Sequence, residues 1–176
     1  MSIIEKVRAA IRDVPDFPKP GILFKDITPI LENPVLCREI VTELITPFEN
    51  QEIHAIVGVE SRGFLFGMLL AQRLNVPFVP VRKAGKLPYQ TISWSYNLEY
   101  GSAVVEMHRE VLQANWNVLV HDDLLATGGT AAAAAELINM QNAKIAGFSF
   151  LVELAFLDGR KHLEKYGVEV SSLLAY

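Results

Sequence analysis

The chain has 176 residues, 51% of them hydrophobic, enough for one domain with a sizeable core and an appended arm. Its net charge of −4 argues against a dedicated nucleic-acid binder, which carries a basic excess, but leaves room for an anionic small ligand that feels only local charge. The single cysteine excludes an intramolecular disulfide framework and suits a reducing, cytoplasmic setting, and no apolar run approaches the ~18 residues of a membrane span.

Ile3, Ile4, Val7, Ala10 and Ile11 recur at helical spacing and predict a short opening helix. Glu5, Lys6, Arg8 and Arg12 make this stretch amphipathic, unlike a signal peptide. Pro15, Pro18 and Pro20 predict a rigid, extended arm over 14–21, and 26–34 reads as a further loop. Asn33 and Pro34 start a helix with an apolar face of Leu36, Ile40, Val41, Leu44, Ile45 and Phe48. Cys37 lies in that pattern and reads as an inert core thiol.

The run IHAIVGV, 53–59, predicts a buried strand; Ser61, Arg62 and Gly63 form a turn, 64–74 a buried helix and 76–81 a second strand. Strand–helix–strand is the grammar of a parallel α/β sheet. The stretch 82–100 breaks the pattern with Lys83, Gly85, Lys86, Pro88 and scattered aromatics, and reads as a long excursion, a lid over 82–101. A strand returns at 103–107, and a third core strand at 117–121 ends in Asp122 and Asp123. Next come a glycine-bearing loop at 126–130, an alanine-rich helix at 130–140, a strand at 145–154, a short helix at 159–166 and a last strand at 168–174. The expected fold class is α/β: a doubly wound, mostly parallel sheet flanked by helices, with an N-terminal arm over 1–33, all in one domain spanning 1–176.

The segment VLVHDDLLATGGT, 118–130, carries the sharpest chemistry. In open α/β sheets ligands bind beyond the carboxyl ends of strands, and a loop running into a helix N-terminus offers N–H groups to an anion. Gly128 and Gly129 allow close backbone approach, while Ala126, Thr127 and Thr130 complete a phosphate cradle. Asp122 and Asp123 would repel a phosphate, so they face ribose hydroxyls or a Mg²⁺ held through the ligand. The pattern therefore asks for a sugar phosphate. A Walker A loop is excluded, because no lysine follows Gly129.

These residues resemble the phosphoribosyl pyrophosphate signature of the type I phosphoribosyltransferases, and DDLLATGGT is close to the wording of the adenine-specific branch of that family. FPKPGILFKDITP (17–29), VESRGFLFG (59–67), RKAGKLPYQT (82–91), SYNLEYG (95–101) and the terminal SSLLAY are similar to the same family, in order along the chain. The resemblance implies transfer of a phosphoribosyl group from phosphoribosyl pyrophosphate to adenine in a cytoplasmic homodimer, with Mg²⁺ carried by the diphosphate and without a nucleic-acid or membrane partner.

By the same resemblance, Ser61 and Arg62 belong to a pyrophosphate loop, 60–63, that often holds a non-proline cis peptide in family members. Lys83 faces the diphosphate and Arg82 reaches the neighbouring subunit; Lys86 closes over the diphosphate or stays a flexible surface lysine. Glu99 is the general acid/base for the purine imidazole ring, and Tyr100 closes the lid. Leu23, Phe24 and Lys25 form the adenine pocket, with Phe24 stacked on the base. Lys25 stands where arginine is common, which matters only if the side chain, and not the main chain, reads the base. His121 replaces an aliphatic residue and is expected to be half-buried, while Trp94 and Trp116 receive no role. Transferases for xanthine, hypoxanthine or orotate, and a non-catalytic nucleotide sensor, are the rival readings.

Overall fold

The computed structural model describes residues 1–98 and 101–176, which form two compact units, 1–43 and 44–176. Among the described residues, no helix is long and apolar enough to cross a membrane.

In the first unit, α1 (Ile3–Ala10) starts with a capping box in which the Ser2 hydroxyl accepts from the Glu5 N–H and the Glu5 carboxylate accepts from the Ser2 N–H. The proline-rich arm is less irregular than its composition suggests. β1 (Arg12–Pro15) and β2 (Leu23–Asp26) pair antiparallel, with Asp13 opposite Lys25 and Val14 opposite Phe24. Pro15 is tolerated because it ends its strand in a two-stranded ribbon. The stretch read as loop contains the one-turn helix α2 (Thr28–Leu31). α3 (Pro34–Ile45) begins as expected: Asn33 Oδ1 accepts from the N–H groups of Val35 and Leu36, both at 3.1 Å. The Cys37 thiol is half-buried and donates to the Ile30 carbonyl at 3.4 Å; burial pushes its pKa up.

The second unit is built on a seven-stranded sheet of order β5-β6-β4-β3-β7-β8-β9. β3 (Ala55–Val59), β4 (Phe78–Lys83), β7 (Asn117–Leu125), β8 (Lys144–Glu153) and β9 (Glu169–Ala175) are parallel. β5 (Thr91–Asn97) and β6 (Ser102–His108) are antiparallel to each other, and β6 is antiparallel to β4. Thus much of the expected lid is an edge hairpin that extends the sheet.

α4 (Gly63–Leu74) and α5 (Gly129–Met140) cover opposite faces of this sheet. Val57 and Val59 pack with Ala131, Ala134 and Leu137 of α5, while Gly58, between them, approaches Gly67 of α4 to 3.7 Å from a built Cβ. α6 (Gly159–Leu163) follows β8. From β3 the chain moves to β4 on one side, then returns to β7 on the other. The strand order therefore reverses between β3 and β7, which places the open crevice at the carboxyl ends of these two strands.

Candidate active site

The two loops singled out by sequence flank that crevice: 60–63 follows β3, and 126–128 follows β7. β7 continues through the acid pair to Leu125, so Asp122 and Asp123 lie within the strand and not beyond it. Asp123 is 4% exposed, and its Oδ2 is paired at 3.0 Å with Nε of Arg62 across the switch point. Asp122 Oδ1 accepts from the Asp123 N–H at 2.8 Å. Gly63 is required beside it, because a Cβ there would stand 2.8 Å from Asp122 Oδ1 and 3.1 Å from the His121 carbonyl. Burial and the charge of Asp123 push the Asp122 carboxyl well above its usual range. Burial also raises Asp123, but the Arg62 guanidinium opposes it, so Asp123 takes its negative charge more readily.

α5 starts without a side-chain cap, and its N-cap Gly128 is left-handed at φ +83°. The first N–H groups of this 12-residue helix are therefore directed into the 126–130 loop with the positive end of the helix dipole behind them. Thr127 is exposed, while Ala126, Gly129 and Thr130 are half-buried. Beside the loop, a cleft of about 730 Å³ is lined by Trp94, Tyr96, Leu98, Gly129 and His162 among others.

Ser61 and Arg62 occupy the other loop, whose Glu60–Ser61 peptide is cis. Glu60 organises the cations around it. Its carboxylate accepts from Arg82 Nη2 at 3.1 Å, Lys86 Nζ at 2.8 Å and the Lys83 N–H at 2.9 Å, while Arg82 Nη1 donates to the Lys86 carbonyl. Arg82 and Lys86 are therefore engaged within the chain, whereas the Lys83 side chain is exposed. Burial works against the Glu60 charge, but the bonds from Lys86, Lys83 and Arg82 outweigh it and hold the carboxyl at about 2.

This depression predicts a pH signature. The folded pKa lies below the ordinary carboxyl value of 4.5, so the stabilisation is complete above pH 4.5 and is lost as pH falls toward 2. Glu60→Gln should lower unfolding stability by about 1 kcal/mol at pH 7, after discounting for the solvent-screened cations. The deficit should shrink below pH 4.5, as measured by urea denaturation of both proteins across pH; a constant deficit would rule out this ionic origin.

His121 is fully buried, deeper than the half-buried position expected, and burial holds its pKa down to about 3. It fits because its neighbours across the sheet are small, Gly58 on β3 and Ser149 on β8. Among the described residues, neither ring nitrogen nor the Ser149 hydroxyl makes a hydrogen bond of good geometry, and the Ser149 main chain beside the imidazole offsets its burial only in part. A leucine would fill similar space without orphaned polar atoms. His121→Leu should therefore raise stability by about 1 kcal/mol and the melting temperature by about 2–4 °C. A lower melting temperature in calorimetry would contradict this account.

The adenine-pocket candidates lie in the first unit. Leu23 is 52% exposed, the Phe24 ring meets Phe17 edge-on at 5.1 Å, and Lys25 Nζ binds Asp13 Oδ1 at 2.6 Å. The Lys25 ammonium is thus drawn onto its own ribbon, which favours the main chain as reader of a base. Glu99 and Tyr100 lie outside the described residues. Trp116 stacks on His54 at 6.1 Å. Sequence reasoning placed Glu60 and Gly63 in the pyrophosphate loop without a task of their own, and gave no role to Tyr96 or Gly159. Glu60 had a detectable signal, a lone acid close in sequence to Arg62 and before a strand ending in Arg82-Lys83; the others had none in the local pattern.

An acid pair and an uncapped helix start thus meet at the switch point of a doubly wound sheet, and residues 26–174 match the phosphoribosyl transferase domain family. An adenine phosphoribosyltransferase from Nitrosococcus oceani is 52% identical over 173 residues, 98% of this chain and 100% of that protein. Crystal structures agree. The adenine phosphoribosyltransferase of Rhodothermus marinus matches with TM-score 0.94 at 50% identity, covering 99% of this chain and 98% of that one. The Saccharomyces cerevisiae enzyme, solved with an iminoaltritol bisphosphate and adenine, matches with TM-score 0.90 at 43% identity over 98% of each chain. The chain belongs to the adenine phosphoribosyltransferase family.

Proposed function

We propose that this enzyme transfers the 5-phosphoribosyl group of phosphoribosyl pyrophosphate to adenine, giving AMP and pyrophosphate in purine salvage. One observation carries the reading at the level of residues: the Asp122–Asp123 pair, with Arg62 on Asp123, shares the end of β7 with the uncapped start of α5. A ligand with hydroxyls at one end and a phosphate at the other satisfies both halves.

In this reading Ala126, Thr127, Gly128, Gly129 and Thr130 hold the terminal phosphate, and the acid pair accepts from the ribose hydroxyls. Ser61, Arg62 and Lys83 meet the diphosphate, where Arg82 and Lys86 join them by exchanging Glu60 for phosphate oxygens. The bond between the anomeric carbon and the diphosphate oxygen breaks, and its electron pair leaves with pyrophosphate. Adenine N9 forms the new bond from the opposite face, and Glu99 takes the imidazole proton. Preorganised cations stabilise the leaving charge, and Tyr100 with the rest of the lid excludes water from the activated sugar.

Mg²⁺ belongs to this reading as a diphosphate-borne ion that neutralises leaving charge. The donor set suits it: Mg²⁺ keeps several waters and binds one or two carboxylates plus substrate oxygens, and Asp122 and Asp123 offer such carboxylates. Among the described residues, no group of three or more His, Cys, Asp or Glu is arranged to hold a metal.

Adenine is read by main-chain groups of β2, whose one edge is paired to β1 and whose other edge offers alternating donors and acceptors. Both units form parts of one transferase domain, supported by the family match that runs from residue 26 to residue 174. A homodimer is supported by exposed Leu65, Met68 and Leu69 on one strip of α4. A cytoplasmic location rests on the single cysteine.

The test is pyrophosphate release from phosphoribosyl pyrophosphate and Mg²⁺, with adenine, hypoxanthine, guanine, xanthine and orotate offered separately. Release with adenine alone is expected. Release with another base would reject the pocket assignment and keep the sugar site. No release with any base, alongside tight sugar-diphosphate binding, would favour a sensor.

A further inference from the structure

The β5–β6 hairpin touches the phosphate loop through two hydroxyls. Tyr96 Oη lies 2.9 Å from Thr130 Oγ1. The Tyr96 ring also covers the loop backbone, since a Cβ built on Gly129 would stand 3.3 Å from Tyr96 Cδ2. Tyr96 and Thr130 are both half-buried, so the bond is partly shielded from water. Thr130 is the second residue of α5, in the turn whose N–H groups lack a side-chain cap.

Each hydroxyl has one proton, so either can donate to the other. An anion in the loop breaks this symmetry. Thr130 then donates to the anion, which leaves its oxygen free to accept from the more acidic phenol. The two bonds polarise in the same direction and strengthen each other. Tyr96 thereby fixes the rotamer of a side chain that would otherwise spend entropy finding the phosphate.

We propose that Tyr96 is a positioning residue for the terminal phosphate of the sugar diphosphate, acting through Thr130 and locking β5 to the occupied loop. The inference rests on the assignment of Thr130 to that phosphate. It ties the hairpin to the phosphoryl group farthest from the leaving diphosphate. The hairpin strands adjoin the segment that carries Glu99. A ligand with a terminal phosphate therefore steadies the hairpin, and inorganic pyrophosphate does not.

The experiment compares Tyr96→Phe, Thr130→Ala and the double variant in the full-length enzyme. Phenylalanine keeps the ring over Gly129 and removes only the hydroxyl. Tyr96→Phe should raise KM for phosphoribosyl pyrophosphate and Kd for ribose 5-phosphate by about 3- to 10-fold, the worth of one hydrogen bond between neutral hydroxyls. The KM for adenine and inhibition by inorganic pyrophosphate should stay within about 2-fold, unlike the effect of general loosening. The double variant should be no worse than Thr130→Ala, because the phenol acts through the threonine. Additive losses, an unchanged ribose 5-phosphate Kd in Tyr96→Phe, or equal weakening toward pyrophosphate would each overturn the proposal. Thr130→Ala without any loss of ribose 5-phosphate binding would overturn the phosphate-loop assignment and this inference with it.

Discussion

Asp123→Asn is expected to lower kcat/KM for phosphoribosyl pyrophosphate by about 10²–10³-fold, an effect of the size seen when one preorganised polar contact is removed from an active site. Two losses combine. In the proposed reading the carboxylate accepts from a ribose hydroxyl in a charge-assisted bond that a neutral amide cannot match, worth about 1.5–3 kcal/mol. The same carboxylate, 4% exposed, holds Arg62 through Nε at 3.0 Å. An amide there leaves the guanidinium without its ionic partner across the switch point, so the diphosphate meets a cation that is no longer aimed. The substitution adds no volume and should leave the fold in place. Steady-state kinetics with adenine saturating would measure the effect, with circular dichroism as the check on folding. A folded variant losing less than about 5-fold would remove Asp123 from the ribose site.

The core of this site was legible in the sequence because its parts are local. The strand, acids, glycine loop and alanine-rich helix of 118–130 are contiguous, and each residue type has one economical use in that order. The length of β7 was not legible. Adjacent aspartates read as a strand end on solvation grounds, yet β7 carries them inward because Arg62 arrives from β3 to pair Asp123 and Gly63 leaves space for Asp122. These partners lie some 60 positions away, beyond any local pattern. The hairpin strand β5 was hidden for a related reason. TISWSYN is polar and mostly exposed, and its strand conformation comes from register with β6, Thr91 opposite His108 through Asn97 opposite Ser102. β1 was obscured by prolines that an isolated two-stranded ribbon accepts. Core strands such as Ala55–Val59 suffered no such ambiguity, since burial on both faces writes itself into an unbroken apolar run, whereas the apolar run that marked Gly63–Leu74 as a buried helix concealed its exposed strip of Leu65, Met68 and Leu69.

Gly128→Ala should be far more damaging than Gly129→Ala, although both change one hydrogen to a methyl in the same loop. Gly128 sits at φ +83°, where a Cβ costs about 1 kcal/mol before any contact is counted. That Cβ would also run into the Gly159 carbonyl oxygen and lie 3.2 Å from His162 Cβ. Gly159 cannot simply withdraw. There is no room for a Cβ between it and the Ala126 carbonyl, and the next residue, Arg160, is clamped by Glu153 through Nε at 2.8 Å and Nη2 at 2.7 Å, with further bonds to the Val170 carbonyl and Ser172. The phosphate loop thus rests on a backbone shelf anchored to β8 and β9. An alanine must push the loop and not the shelf, which displaces the N–H groups that the proposed reading gives to the terminal phosphate. We expect a fall of about 100-fold or more in kcat/KM for phosphoribosyl pyrophosphate, since small misplacement at a site of preorganised donors has effects of that order. Gly129 has no positive φ, and its Cβ would come closest to the Tyr96 ring at 3.3 Å, which can yield by a few tenths of an ångström, with Thr127 Oγ1 at an ordinary 3.9 Å. Its alanine variant should keep activity within about 10-fold. Ribose 5-phosphate titrations of the two variants separate these cases: equal weakening would show that crowding anywhere in the loop matters, and that the shelf under Gly128 has no special part in holding it.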